Sequence, residues 1–305
     1  MQMSNEIITS DLERSADVRS AVFELTLADR GFLTPESYPQ IIQGGSVNSV
    51  GTHVLRVTRQ GLDGADLMTA AGSEIADVAN SAYTDASITV TVGRKSLSYD
   101  ASTLAISSDP ILRMERLYRS IMASASAKLT NDIAALMDGF STQVGTSGVS
   151  SSLAQLLNGL TALEAANVPG PYLAVLHSQQ WGAIRLEHYL SAGGAIQYEA
   201  PITGGAEAPT GYKGRLFGGL DVFVANRGIA TSGSDYKGGM IGRSALLMAD
   251  LTPVVEDPSR QAAMGRTMVE YGRVQGAAKS EYHGHSFYGI VEFEDARGVE
   301  LIGTA

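Results

Sequence analysis

The stretch NVPGPYLAVLHSQQWGAIR, residues 167–185, indicates how the middle of the chain is built. An apolar run from Tyr172 to Leu176 leads into His177, three polar residues follow, and then comes Trp181, the only tryptophan. This order predicts a strand, a turn and a helix, which is where α/β enzymes often carry reactive groups. Two hypotheses for His177 follow: it takes part in catalysis, or it caps the turn while Trp181 packs the helix onto a sheet.

Composition limits the function before any motif is considered. The 305 residues include no cysteine, which excludes disulfides, cysteine zinc sites and thiol catalysis. No apolar run approaches the roughly 20 residues that span a bilayer, and the N-terminal MQMSNEIITSDLERS lacks a signal-peptide core. We therefore expect a soluble protein, made and used in a cytoplasm, with one large or two modest domains. The net charge of −10 disfavours nucleic-acid binding, which draws its affinity from basic surfaces.

The first third of the chain alternates short elements with irregular segments. Residues 11–29 have the period of a short amphipathic helix, and 53–62 and 87–95 have the pattern of strands that form a hairpin. Residues 31–52 and 63–86 have no clear period, and irregular segments of this length are uncommon in compact domains. Either the strand assignments are wrong, or these segments are arms that are buried on a neighbouring molecule.

Residues 110–138 predict a helix of about 43 Å, much longer than average. Asp109 is placed to cap it, Pro110 suits its first position and Gly139 can end it. Apolar residues recur along it with a period of 3.6, and Ala123–Ala127 at its centre is small enough for another backbone to approach.

The second half of the chain alternates helices and strands. After a Gly/Ser linker at 145–152, the patterns predict helices at 153–166 and 178–190, strands at 172–177 and 220–225, a long loop at 193–214, and final strands at 287–295 and 298–303 joined by a turn.

Few residues offer chemistry. His283 and His285 have the spacing of metal ligands on one strand face, but no third ligand is identifiable, so a polar strand face is the preferred interpretation and their role stays open. Ser234–Lys237 matches S-x-x-K without the companion motifs of that chemistry. No motif supplies His177 with a nucleophile and a carboxylate, so we favour the capping role. We predict no catalytic, cofactor-binding or metal-binding residue and no enzyme.

The order of these parts resembles the major capsid protein of tailed bacteriophages, the Hong Kong 97-type fold. Three stretches carry the resemblance: YLAVLHSQQWGAI (172–184), LFGGLDVFVANRG (216–228) and GGMIGRSALLMADLTPVVE (238–256). They are similar to the strand and helix start of the family's axial domain, to the segment before its second central strand, and to the run that re-enters its peripheral domain.

This resemblance implies an α+β, Hong Kong 97-like capsid fold divided into four parts. Residues 1–35 would be the N-terminal arm and 36–100 the extended β-hairpin loop. The peripheral domain with its long spine helix would comprise 101–145 and 251–305, and the axial α/β domain 146–250. The last strand could belong to either domain.

The function implied is that of a major capsid protein, which self-assembles into the icosahedral head shell around the double-stranded DNA genome. Its partners would be its own copies in hexamers and pentamers, a separate scaffolding protein, a portal protein, a possible cement protein and packaged DNA bound without specificity. It would be assembled in the host bacterial cytoplasm, need no cofactor and contact no membrane. An encapsulin-type nanocompartment shell protein and, less favoured, a soluble α/β enzyme are the alternatives.

The resemblance also raises the question of how the extended loop is held. Some members of the family join subunits by an isopeptide bond between a loop lysine and an asparagine of the neighbouring peripheral domain, but residues 63–86 contain no lysine and the last asparagine is Asn226. We predict instead an electrostatic latch between the loop of one subunit and the peripheral domain of the next. Its acidic side is Asp63, Asp66, Glu74, Asp77 and Asp85, and its basic side is Arg260, Arg266, Arg273 and Lys279.

Overall fold

The computed structural model describes residues 32–46, 54–60, 83–89, 91–100, 110–191, 211–217, 219–251, 261–264, 266–274 and 279–304. The helix predicted at 11–29, most of the irregular segment predicted at 63–86 and most of the loop predicted at 193–214 lie outside these residues.

The long helix is present as predicted. Helix α1 spans Pro110–Ala135 and continues as one 3-10 turn, Leu136–Gly139, so that it ends at the predicted glycine. The buried face of α1 is rotated slightly about the helix axis from the predicted face. Ala125, predicted to be on that face, is half-buried, whereas Ser126 is buried. Alanine and serine are similar in size, and the apolar period alone does not separate them.

A seven-stranded sheet forms the first half of the fold. From edge to edge its strands are β5 (Gln143–Val144), β15 (Gly298–Gly303), β10 (Asp235–Ile241), β6 (Tyr172–Leu176), β8 (Leu220–Val224) and β7 (Tyr212–Leu216), with β9 (Ala230–Ser232) paired to β10. β6 and β8 run parallel, as expected for strands joined through a helix, and the predictions for both are confirmed.

Both faces of this sheet are covered. Helices α2 (Leu153–Ala165) and α3 (Ser178–Ser191), which confirm the predicted helices, pack over one face through residues such as Leu156. The opposite face, including Leu173 and Phe223, packs against the end of α1. Because successive strand residues point to opposite faces, a strand covered on both sides is a continuous apolar run.

A six-stranded sheet forms the second half. In order it contains β1 (Ile41–Ser46), β11 (Leu246–Asp250), β14 (Lys279–Glu292), β13 (Thr267–Val274) and β12 (Gln261–Met264), with β4 (Thr91–Asp100) also paired to β14. β14 begins eight residues before the predicted start at 287. β1, β11, β12 and β13 were not recognised in the sequence.

The predicted hairpin is confirmed. β2 (Val54–Gln60) and β3 (Tyr83–Thr89) pair antiparallel along their whole length. The sequence pattern at 87–95, however, belongs to two strands, because its first part ends β3 and its second part begins β4 in the six-stranded sheet.

Five strands, β1, β4, β5, β11 and β15, pair outside the part of the fold that the predicted ranges imply for them. β11 falls within the predicted axial range but pairs with β1 and β14, and β15 falls within the predicted peripheral range but pairs with β10 and β5. The chain thus crosses between the sheets just before β11 and again after β14, so each sheet contains residues from both predicted ranges.

The segment Leu33–Gln43, which we call the strap, fills the space where α1 and the two sheets meet. Its Leu33, Tyr38 and Ile41 are at most 2% exposed and belong to the largest apolar cluster. Tyr38 meets Phe223 edge to face, with 6.0 Å between ring centroids. A segment that has no period in sequence is therefore part of the core, and its burial needs no neighbouring molecule.

Candidate functional site

His177 caps a helix. Its Nδ1 accepts a hydrogen bond from the backbone N–H of Gln179 at 3.2 Å, and its carbonyl accepts one from the N–H of Trp181 at 3.0 Å. Trp181 packs against the apolar cluster between the sheet and its helices. Burial lowers the pKa of His177, whose ring stacks on Tyr236 at 4.0 Å. The capping hypothesis is confirmed.

Gln180 joins this cap to the sheet, and the sequence analysis missed it. The residue is fully buried. Its Oε1 accepts from the N–H of His177 at 3.1 Å, and its Nε2 donates to the carbonyls of Tyr236 at 2.9 Å and Leu301 at 3.1 Å. One amide side chain thus connects the start of α3 with β10 and β15. An isolated glutamine carries no sequence signal for such a role.

Among the described residues, the two candidate metal ligands do not belong to a cluster that could hold a metal ion. His283 and His285 lie two residues apart on β14, and His285 Nε2 is 3.6 Å from Glu270 Oε2. Across the part of the chain that the structure describes, no group of three or more histidine, cysteine, aspartate or glutamate side chains could hold a metal ion.

The S-x-x-K match is also not a reactive site. Lys237 lies on strand β10, where its Nζ contacts Asp138 at the end of α1 and is 3.6 Å from Oε1 of buried Glu300. The hydrogen bond that Lys237 Nζ donates to Asp138 is the main reason that the pKa of Lys237 is raised, which keeps the amine protonated. Burial raises the pKa of Glu300. The three residues hold α1 against the seven-stranded sheet.

Arg266, one of the predicted latch residues, is bound within its own chain. Its side chain is 7% exposed and Nη1 donates to Oε1 of Glu36 in the strap at 2.9 Å. Nearby, Nε2 of Gln43 donates to Asp250 at 2.8 Å. Burial raises the pKa of Asp250, and Arg266 opposes this shift. Because the Arg266 side chain is buried and paired with Glu36 of its own chain, it stabilises the fold of the subunit and is not exposed for contact with another one.

The other latch residues are placed only in part. Asp85 lies on β3, and Arg273 and Lys279 lie near the junction of β13 and β14, where Val274 pairs with Lys279. Asp63, Asp66, Glu74, Asp77 and Arg260 lie outside the described residues. The latch stays a prediction.

Two further hydrogen bonds attach the second half of α1 to the strap and to the six-stranded sheet. The N–H of Leu33 donates to Oγ1 of Thr130 at 3.0 Å, which ties the strap to the helix. The hydroxyl of Tyr288 on β14 donates to Asp132 at 2.6 Å, and burial raises the pKa of this tyrosine. The strap, the helix and the six-stranded sheet are thus bound together by buried and partly buried hydrogen bonds as well as apolar packing. No described helix has the length and apolarity to cross a membrane.

Comparison with known proteins gives a match in structure only. The amino-acid sequence matches no family model and no curated protein. The fold is similar to the capsid of Ralstonia phage GP4, with a TM-score of 0.60 and 10% identity over 90% of this chain and 89% of that one. It is similar to the head of Helicobacter pylori bacteriophage KHP40, with a TM-score of 0.59 and 11% identity over 87% and 89%. It is also similar to the SrpI encapsulin of Synechococcus elongatus, with a TM-score of 0.57 and 12% identity over 85% and 84%.

The chain therefore has the fold of shell-forming capsid proteins. The predicted resemblance to phage capsid proteins of the Hong Kong 97 type is confirmed at the level of the fold, which the encapsulin shares.

Proposed function

We propose that this chain is the major capsid protein of a tailed bacteriophage, and that its copies assemble into the icosahedral head shell around double-stranded DNA. The similarity to phage capsids over most of the chain is the observation that carries this proposal. The described residues support a structural role, because the side chains that looked reactive are engaged in capping and fastening. We propose that the protein is not an enzyme and resides in the virion.

The parts of the chain then take the roles that the resemblance implies. We assign residues 1–35 to the arm, 36–100 to the extended loop, 101–145 and 251–305 to the peripheral domain and 146–250 to the axial domain. Strand pairing modifies these ranges: β1, β4 and β11 go with the six-stranded sheet of the peripheral domain, and β5 and β15 with the seven-stranded sheet of the axial domain. The strap lies across the first of these boundaries, so the arm would leave the subunit from a buried anchor at Leu33. A scaffolding protein, a portal protein and a possible cement protein are the proposed partners, and the shell would form in the bacterial cytoplasm.

Assembly is the test of this proposal. The full chain, expressed with a scaffolding protein, should form closed shells visible by electron microscopy and sedimenting as particles of megadalton mass. A monodisperse monomer or dimer that turns over a substrate would refute the proposal and favour the α/β enzyme.

An encapsulin shell is the second candidate, because the fold also matches the SrpI encapsulin. The contents of purified particles separate the two. Shells that mature with packaged double-stranded DNA support the phage capsid, and shells that form without a scaffolding protein and retain a cargo enzyme support the encapsulin.

We propose further that acidic loop residues of one subunit meet Arg273 and Lys279 of the next. Each exposed pair contributes only about 0–1 kcal/mol, but a shell repeats the contact at every subunit. Reversing Arg273 and Lys279 to glutamate should slow assembly most at low salt, where charges are least screened. Adding Asp63→Lys and Asp66→Lys should restore part of the rate, and normal low-salt assembly of the first variant would contradict the latch.

A further inference from the structure

Asp250, the last residue of β11, is a buried carboxyl group with a hydrogen bond on only one of its oxygens. The residue is 7% exposed. Its Oδ2 accepts from Nε2 of Gln43 at 2.8 Å, whereas its Oδ1 is buried and has no hydrogen-bond partner among the described residues. A buried carboxylate oxygen without a donor disfavours the ionised form, because the protein does not replace the water that the oxygen loses.

The two other buried aspartates of the described residues are bonded on both oxygens. The Asp221 carboxylate accepts from Nε and Nη2 of Arg215 at 3.0 and 3.1 Å. The Asp235 carboxylate accepts from the hydroxyl of Ser147 and from the next N–H along the chain. Donors on both oxygens stabilise a charged carboxylate. Asp250 therefore differs from both in being suited to carry a proton.

The charges around Asp250 do not make up for the missing hydrogen bond. Burial raises the pKa of Asp250, and although Arg266 attracts the carboxylate, Glu36 in the strap repels it. Nη1 of Arg266 donates to Glu36 at 2.9 Å, so two carboxylates share one guanidinium. From β14, Tyr288 lies opposite Asp250 in the strand register, and its hydroxyl donates to Asp132 of α1.

The strap and its continuation, β1, lie against Asp250. Gln43 ends the strap and binds the carboxyl group, and Ser46 of β1 is beside Asp250 in the parallel register. If the strap leaves the sheet, the carboxyl group loses Gln43 and gains water, so its ionised form is no longer disfavoured. Docking of the strap and binding of a proton to Asp250 are therefore coupled, and each favours the other.

We propose that Asp250 is a proton-binding switch that tightens the strap on the six-stranded sheet as the pH falls. Folding raises the pKa of this carboxyl group above its unfolded value of 3.8, so the stability from its protonated form is complete below that pH and is lost as the pH rises through the folded value. Because the chain before Leu33 continues from the strap, pH would set how firmly this end of the chain is held. The inference concerns the single subunit, so its failure would leave the proposed function untouched.

Asp250→Asn tests the switch, because asparagine keeps an oxygen for Gln43 but does not ionise. Urea unfolding of the unassembled full chain is compared between about pH 7 and about pH 4.5. Relative to the wild type, the variant should be most stable at pH 7 and should lose this advantage as the pH falls. Asp235→Asn is the matched control: the hydrogen bond from Ser147 lowers the pKa of Asp235, so its difference from the wild type should stay nearly constant over this range. A constant difference for Asp250→Asn as well would overturn the inference.

Gln43→Met provides a second test that does not alter the carboxyl group itself. Without the donor to Oδ2, the ionised form of Asp250 is disfavoured further. The stability of this variant should therefore fall more steeply than that of the wild type as the pH rises from about 4.5 to about 7. A hydrogen bond with a structural role alone would give the same loss at every pH, and that result would contradict the switch.

Hydrogen exchange locates the effect in the strap. The N–H groups of Tyr38 and Ile41 donate to carbonyls within the strap, at 3.0 and 3.1 Å. After correction for the intrinsic pH dependence of exchange, their protection in the wild type should be about threefold or more higher at pH 4.5 than at pH 7. In Asp250→Asn it should not change. Equal protection of the wild-type strap at both pH values would refute the proposal.

Discussion

Gln180 should be among the costliest side chains to replace, although the sequence does not distinguish it from its neighbour Gln179. Its amide makes three hydrogen bonds inside the protein, to His177, Tyr236 and Leu301. At about 1 kcal/mol for each bond, Gln180→Leu should lower the free energy of unfolding by about 3 kcal/mol. The bond to the carbonyl of Leu301 is buried, which raises the cost because water does not replace the lost amide there.

The measurement is urea unfolding of the unassembled subunit, followed by the fluorescence of Trp181. This tryptophan is the only one in the chain and packs in the same layer, so its signal reports the loss of that layer. Gln179→Leu is the control, because Gln179 is exposed and its side chain should contribute within about 0.5 kcal/mol. If the free energies of unfolding of the two variants differ by less than about 0.5 kcal/mol, Gln180 does not hold the helix to the sheet.

Three further predictions concern pH, the spine helix and cross-linking. Burial places the pKa of His177 in the folded protein below its unfolded value of 6.5. The stability that comes from the neutral imidazole is therefore present above that pH and is lost as the pH falls below it. In urea unfolding, His177→Asn, which keeps a capping side chain, should lose less stability than the wild type between about pH 7 and pH 5. Tyr288→Phe removes a partly buried hydrogen bond to Asp132 and should cost about 1–3 kcal/mol in the same assay. Lys128→Met, at the exposed ion pair with Asp132, should cost at most about 1 kcal/mol, and equal costs would contradict the assignment. Mature particles should run as single chains on a denaturing gel because residues 63–86 offer no lysine, and a ladder of multimers would disprove this.

The order of elements could be predicted from local patterns where one chain segment contains its own signal. The period of 3.6 predicted α1, the local pattern at 153–166 predicted α2, and the apolar run before His177 predicted β6 and the start of α3. The capping role of His177 also followed, because a helix start needs a side-chain acceptor within a few residues. These features depend on neighbours in sequence, and the sequence shows those neighbours.

The electrostatic latch shows the limit of counting charges along a chain. Arg266 appeared in a basic segment that was expected to face another subunit, but the structure buries it against Glu36. The two residues are 230 positions apart in sequence, and only the folded strap brings them together. Net charge in a window does not tell a solvated surface from a buried pair, because burial is set by what packs on top.

What the sequence by itself determined is the set of helices and strands with a regular period, and through their order the resemblance to a capsid fold. Only the tertiary structure decided which strands share a sheet. β11 and β15 each join the sheet on the far side of a chain crossing, and the strap, without any period, becomes core because it fills the junction of α1 and the two sheets. Strand pairing and burial of this kind are long-range: their free energy comes from contacts between segments that are far apart in sequence, so no local pattern encodes them.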